Sequence, residues 1–416
     1  MKKYIEKSVP LAFVLLLLTT IFAGALFQSC DEDSDASDDS PEIRYVRLTD
    51  PEASDSLVTS AFLGTTIALI GEDLGNVQEI WFNDQSAKLN KSYITDETII
   101  VTIPSDIPDE VTNQIRLITN AGKEVTYDFQ VDVPKPLLSS MKCEYVPDGE
   151  TAIIRGNFFL GDEETPLKVT FPGNLEGEID SYDRREIRVT VPEGAGSGPV
   201  TVQSMYGSST SSFHFRDDRN VFLDFDESFG AGWRPGNTQG SNPEGISGDY
   251  LVLEGTISSW LWDEDSFAMN LWGASGDNPR SQGPLFDLDD NALSEMVFKF
   301  EVNIPEPWAA GYLQCIFTPW ELTDENAYYS DAELARALWR PWHHNEESYQ
   351  TDGWETVSIP MSDFRFDHEA SKNDLSLTYP DDFGGFTFFL WGPALEEDLE
   401  QNIFLGIDNV RVVPGN

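Results

Sequence analysis

The chain has 416 residues, with 73 Asp and Glu against 26 Lys and Arg, a formal charge of −47. That balance excludes nucleic acid as a partner, because phosphate binding draws on a surplus of Lys and Arg, and it disfavours adsorption to anionic lipid. A hydrophobic content of 40%, with 12% aromatic residues, excludes a disordered acidic polymer and leaves a neutral partner, such as an uncharged polysaccharide, unopposed.

Residues 1–29 carry Lys2, Lys3 and Lys7 and then the apolar run Leu11–Phe27, ending at Gln28-Ser29-Cys30. This is the layout of a secretory leader: a cationic start, a short apolar stretch and a small residue before the cut. The apolar run is short for a membrane span, which needs ~20 residues. The Cys at the cut site resembles the lipobox of bacterial lipoproteins. That resemblance implies a diacylated Cys30 as the first mature residue, with membrane contact through the lipid anchor only. Three cations and one anion leave with the leader, so the charge moves from −47 to about −49. Residues 30–42, including DEDSDASDDS, are too polar to pack and are expected to be a flexible tether. Acidic residues just after a lipidated Cys resemble the signal that sends Bacteroidota lipoproteins to the outer face of the outer membrane.

Short strands are expected next. Residues 43–134 hold Thr66–Ile70, Glu79–Phe82, Thr98–Ile103, Gln114–Ile118 and Val125–Val131, punctuated by Gly, Asn, Asp and Pro. Residues 135–217 repeat the plan with Ala152–Arg155, Leu167–Phe171, Glu186–Val191, Pro199–Gln203 and Ser211–Phe215. Each segment runs an Ile-rich strand into a glycine (Ile67 to Gly71, Ile153 to Gly156) and ends another at a proline (Pro104, Pro192). This pattern resembles the IPT/TIG immunoglobulin-like domain and implies two tandem β-sandwiches acting as spacers. Val133-Pro134-Lys135-Pro136 suits a stiff, extended joint between them.

Residues 218–416 differ: ten of the eleven Trp residues lie there, the exception being Trp81. Strands are expected at Tyr250–Leu253, Phe267–Trp272, Met296–Val302, Tyr312–Phe317, Trp354–Ile359, Gly385–Trp391 and Ile403–Val413, with one short helix capped by Ser330 and Glu333. The fold class is therefore all-β, two immunoglobulin-like sandwiches followed by a larger jelly-roll-like β-sandwich.

Catalytic and metal signatures are sparse. Of four His residues, His343 and His344 are adjacent and would point to opposite faces of an extended segment, while His214 and His368 are isolated. Cys143 and Cys315 fall in different segments and are expected to be buried thiols. Carboxylates are too numerous for any pair to single itself out as a glycosidase couple, which needs two carboxyls ~5–10 Å apart. No cofactor is expected. Ile407-Asp408-Asn409-Val410 resembles the closing strand of carbohydrate-binding jelly rolls, where an Asp can ligate structural calcium; Asp408 and Asp224 are the weak candidates, against a simple turn or edge carboxylate.

Aromatic rings offer a different chemistry. A pyranose ring has an apolar C–H face that a flat indole covers, hiding ~60 Å² and contributing ~1.5 kcal/mol per platform. Weak stacking suffices when the ligand is a polymer and the protein is tethered. In Phe267–Trp272, alternation puts Phe267, Met269 and Leu271 on one face and Ala268, Asn270 and Trp272 on the other. In Tyr312–Phe317, Leu313, Cys315 and Phe317 face inward, leaving Tyr312 and Gln314 opposite. Trp308 lies in a loop stiffened by Pro305 and Pro307, and Trp342 follows Pro341. Trp260 and Trp262 share a strand face, where half-buried packing competes with a sugar-binding stripe. The candidate carbohydrate contacts are Trp272, Trp308, Trp342, Tyr312, Asn270, Gln314 and Trp262. Trp391 and Trp354 are expected in the core.

Lipobox Cys30, the acidic tether, the two repeats and the Trp-rich C-terminal module, with Gly64–Leu74, Phe298–Gly311, Arg340–Glu347 and Gly353–Phe364, together resemble the surface glycan-binding lipoproteins of Bacteroidota polysaccharide-utilisation loci. The type is the one whose C-terminal module is named for xyloglucan binding. The resemblance implies a non-catalytic protein capturing a neutral plant-type β-glycan, of the xyloglucan class or a mannan, xylan or β-glucan. It also implies a SusC/SusD-type importer and surface glycanases as partners. A surface glycoside hydrolase and an adhesin recognising protein are the alternatives.

Overall fold

The computed structural model describes residues 40–415 apart from 54, 109, 262–263, 275–282, 321–333 and 344–346. The leader, Cys30, most of the tether, Trp262 and the expected helix caps Ser330 and Glu333 lie outside the described residues; where that helix would continue, Ala337–Trp339 is instead a strand paired with Ala310–Thr318. The regular structure of the described residues is almost wholly strand, as the short alternating runs require, and the chain divides into two compact units between Pro134 and Lys135.

In the first unit, the strands Leu57–Val58, Glu42–Leu48, Thr66–Glu72 and Thr98–Thr102 form one sheet. Gln85–Ser86, Val77–Phe82, Gln114–Thr119 and Glu124–Asp128 form a second. Ile67, Leu69, Ile80, Ile99, Ile115 and Leu117 are wholly buried between them. The second unit opens with seven strands, from Leu137–Met141 to Gly207–Phe215, around Ile154, Val169, Phe171, Ile187 and Phe215. The glycine repeated in both segments has a steric cause. A Cβ on Gly71 would sit 1.8 Å from the Glu42 carbonyl oxygen, and one on Gly156 would sit 1.9 Å from that of Leu137. In each sandwich the first strand passes its glycine-bearing neighbour too closely for any side chain.

The C-terminal module is two packed sheets. One orders the strands Asn237–Gln239, Tyr250–Ile257, Gln401–Pro414, Met296–Asn303 and Glu355–Pro360, with Val221–Leu223 also paired to Gln401–Pro414. The other orders Trp260–Leu261, Gly385–Ala394, Ala310–Thr318 and Ala337–Trp339, with Ala268–Leu271 also paired to Gly385–Ala394. Alternate residues of facing strands (Phe298, Phe300, Leu405 and Ile407 against Leu313, Phe317, Phe386 and Phe388) fill the space between. The rings of Phe298 and Phe386 meet there at 5.3 Å. Each such buried side chain contributes about 1.5–3 kcal/mol. Cys143 and Cys315 are buried free thiols, as expected, and burial pushes both well up.

The outward face of the first sheet is charged yet covered. Lys299 and Arg411 stand directly opposite each other across adjacent strands. Glu144, from the preceding sandwich, accepts from Lys299 Nζ at 2.6 Å and from an Arg411 Nη at 2.7 Å. Tyr145 lies under the Arg411 guanidinium, 5.0 Å from ring centre to Cζ. The two sandwiches of the second unit are thus joined through buried ions.

Candidate functional site

The outward face of the second sheet carries the site. Register sets Tyr312 against Trp391 and Gln314 against Phe389, while Ala268 and Asn270 oppose Phe389 and Thr387. The side-chain parity expected for both strands is the one found: Leu313, Cys315, Phe317, Phe267, Met269 and Leu271 face the main core. The opposite face, however, is not open along its length. Ala268, Tyr312, Ile316, Phe389 and Trp391 form a second small core with Trp272, Leu334 and Leu338 partly buried on it. His368 closes over it, its ring 4.0 Å from that of Trp391 and parallel to Phe389 within 3°.

Polar side chains on this face are committed to the covering layer or to one another. Gln314 Oε1 accepts from Arg336 Nη1 at 2.8 Å, and Gln314 Nε2 donates to the His368 carbonyl at 3.1 Å. Asn270 Oδ1 accepts from Thr387 Oγ1 at 3.2 Å. Burial, followed by the nearby Arg336 charge, lowers the His368 imidazole to about 4, so it is neutral at physiological pH. Burial likewise pushes the Tyr312 hydroxyl up to about 12.

The face opens at one end. The two-residue strand Trp260–Leu261 pairs with the last turn-out of Gly385–Ala394, setting Trp260 opposite Pro393. Trp260 is 51% exposed, and its ring stands at 90° to Trp391 with centroids 5.3 Å apart. Tyr312 packs on the other side of Trp391 at 5.6 Å, and the Arg340 guanidinium lies 5.8 Å above the Tyr312 ring. Trp260, Tyr312, Arg340, Glu369, Trp391 and Pro393 line a pocket of about 400 Å³. Trp391 and Tyr312 are its buried floor, Trp260 its accessible wall, and Arg340 and Glu369 its hydrogen-bonding groups.

Several expected contacts are corrected by their burial. Trp308 is wholly buried: its loop pairs back through Tyr349, and its indole N–H donates to the Ala310 carbonyl. The loop's pairing with Tyr349 turns the ring into the core rather than out. Trp342 is 5% exposed, with its indole N–H donating to the Gly311 carbonyl at 3.0 Å in a short 3-10 turn. Asn270 and Gln314 are wholly buried and serve the fold. Tyr312 reaches the pocket only as its floor, Trp272 is half-buried at the far end of the face, and Trp262 lies outside the described residues. Trp391 is in the core, as expected. Arg340 and Glu369 carry no sequence pattern that marks them. In the sequence Trp260 stands out only as one of a pair with Trp262, and its exposure follows from pairing at a strand's very end.

Each candidate cation ligand is engaged by nearby backbone amides. One Asp224 carboxylate oxygen accepts from the Asp226, Glu227 and Ser228 amides and from Ser228 Oγ, a turn-forming role. Asp408 is buried and its carboxyl is pushed up to about 8, chiefly by desolvation. Among the described residues no group of three His, Cys, Asp or Glu has the arrangement to hold a metal ion. A larger depression of about 650 Å³ on the first unit has no aromatic ring in its lining, and stacking chemistry is absent there.

Residues 215–414 match the family described as the surface glycan-binding protein B xyloglucan binding domain. The crystal structure of the surface glycan-binding protein PbSGBP-B from Prevotella bryantii is similar over 91% of this chain and 99% of that one, with 31% identity and a TM-score of 0.76. The chain belongs to the surface glycan-binding protein family. A Bacteroides ovatus IPT/TIG domain-containing protein is 31% identical over 214 residues, 47% of this chain; the match spans 42% of that relative. Within the surface glycan-binding module the pocket at Trp260 is the aromatic site open to solvent at the end of the second sheet. No helix among the described residues is long and apolar enough to cross a membrane.

Proposed function

We propose that this protein captures a neutral plant-type β-glycan at the Trp260 pocket without cleaving it, xyloglucan being the first choice and mannan, xylan or β-glucan the others. The observation that carries this reading is Trp260, half out in water and braced at 90° by Trp391, beside Arg340 and Glu369. An indole so held covers a sugar's C–H face, while the guanidinium and carboxylate satisfy hydroxyls. The family match to a xyloglucan-binding domain supports the glycan class. In this reading residues 43–134 and 135–217 are spacers, 218–416 is the binding module, and Cys30 bears the lipid that anchors the chain to the outer face of the outer membrane. Captured polymer passes to a SusC/SusD-type importer and surface glycanases.

Affinity electrophoresis in gels containing xyloglucan, galactomannan, xylan or mixed-linkage glucan tests this. Retardation is expected in at least one, weakened about tenfold by Trp260→Ala, the loss of one stacking platform. Unchanged mobility in every gel, or release of reducing ends from the polymer, defeats it.

A further inference from the structure

Among the described residues of 218–415, three large apolar side chains are exposed: Trp260, Trp233 at 64% and Phe229 at 53%. Trp260 belongs to the pocket above; the other two lie in one loop at the opposite end of the same sheet. We propose that this loop, braced on Trp272, forms a second sugar-stacking station for the same neutral polysaccharide chain, a statement that rests on the reading of the Trp260 pocket.

The loop is built rather than loose. Ala231 bridges Leu271 in parallel, its amide donating to the Asn270 carbonyl and its carbonyl accepting from the Trp272 amide, both at 2.8 Å. The Asn270 amide donates to the Arg234 carbonyl at 2.6 Å, tying down the other side of the tip. A Cβ on Gly232 would lie 2.8 Å from the Trp272 indole, so the loop backbone lies flat on that ring. Trp233 therefore projects from a tip fixed on both sides, with little backbone freedom left to lose on binding.

Register places the two stations. Trp260 opposes Pro393 and Leu271 opposes Phe386, which sets Trp272 beside Gly385. Eight residues of strand separate the two rows, about 26 Å. Between them Phe389 and Trp391 are buried, and Leu334 and Leu338 are half-buried on the same face. A protein partner would want one contiguous apolar patch, whereas two isolated aromatic stations suit a ligand that repeats its C–H faces along a chain. Asp226 and Glu227 next to the loop disfavour an anionic polymer.

Isothermal calorimetry on the full chain decides it, using the polymer retained in the gels and its oligosaccharides of rising length. The expected result is that Trp233→Ala leaves short-oligosaccharide affinity within about twofold and weakens polymer binding about tenfold, with an unchanged Tm. Polymer affinity equal to wild type in Trp233→Ala overturns the second station and leaves the pocket standing. Equal loss for short and long ligands overturns it too, since Trp233 would then belong to one undivided site. Wild-type affinities in Trp260→Ala would instead remove the pocket itself.

Discussion

Glu144→Gln probes the joint between the second sandwich and the binding module. Lys299 and Arg411 face each other across neighbouring strands, a like-charge pair that repels. Glu144 and Glu301 neutralise them, two anions against two cations, with Arg411 held by Glu301 at 2.7 and 3.0 Å. Side-chain exposure is 10% for Lys299, 4% for Glu144 and 0% for Arg411 and Glu301. Burial pushes the Glu301 carboxyl up, and Arg411 pulls it back. Gln at 144 keeps the shape and removes one negative charge, leaving a buried uncompensated cation, which costs about 3–5 kcal/mol. Urea titration of the full chain followed by Trp fluorescence should show that loss in the transition of the second unit. Adding Lys299→Met restores the balance of charge, so Glu144→Gln/Lys299→Met should be more stable than the two single losses sum to, by about 1–3 kcal/mol. A Glu144→Gln variant within about 1 kcal/mol of wild type, or strictly additive losses, would refute the claim that these four groups act together.

Two more outcomes separate packing from binding and fix a pH trend. Trp308→Ala empties a wholly buried site and should cost about 3–5 kcal/mol, while the exposed Trp260→Ala should stay within about 1 kcal/mol; thermal unfolding of both distinguishes core from platform. The Asp408 carboxyl, raised to about 8 by burial and then by Glu301, Asp226 and Asp224, keeps its proton in the fold while the unfolded chain ionises near 4. Its contribution to stability is therefore complete below pH ~4 and is lost as pH rises towards about 8, by up to about 1.4 kcal/mol per unit. Asp408→Asn should flatten that decline between pH 5 and 8 in urea midpoints; parallel curves for variant and wild type would contradict it.

Much of the fold was legible because strand alternation is a local property. Phe267, Met269 and Leu271 could be assigned to one face, and Asn270 and Trp272 to the other, from spacing alone. The all-β class and the two glycine-punctuated repeats followed from the same short-range pattern. The site was less legible, because parity says which face a residue takes and not whether that face is open. His368, Leu334 and Leu338, far along the chain from Tyr312, cover the centre of the sheet. Trp308 illustrates the same limit: a proline-flanked indole reads as displayed, yet its pairing with Tyr349 turns it inward.

The charge pattern adds a step that composition alone conceals. A chain at −47 spends two of its 26 basic residues, Lys299 and Arg411, in the interior of a joint. One of their counter-ions, Glu144, lies outside residues 215–414, the stretch that matches the family's binding domain. Cutting the chain at that boundary would uncover Lys299 and Arg411 and remove Glu144, one of their two counter-ions. The first sheet of the module therefore draws stability from a residue that precedes the module in sequence. The second sandwich, read from its repeats as a plain spacer, also supplies counter-charge to the module that follows it.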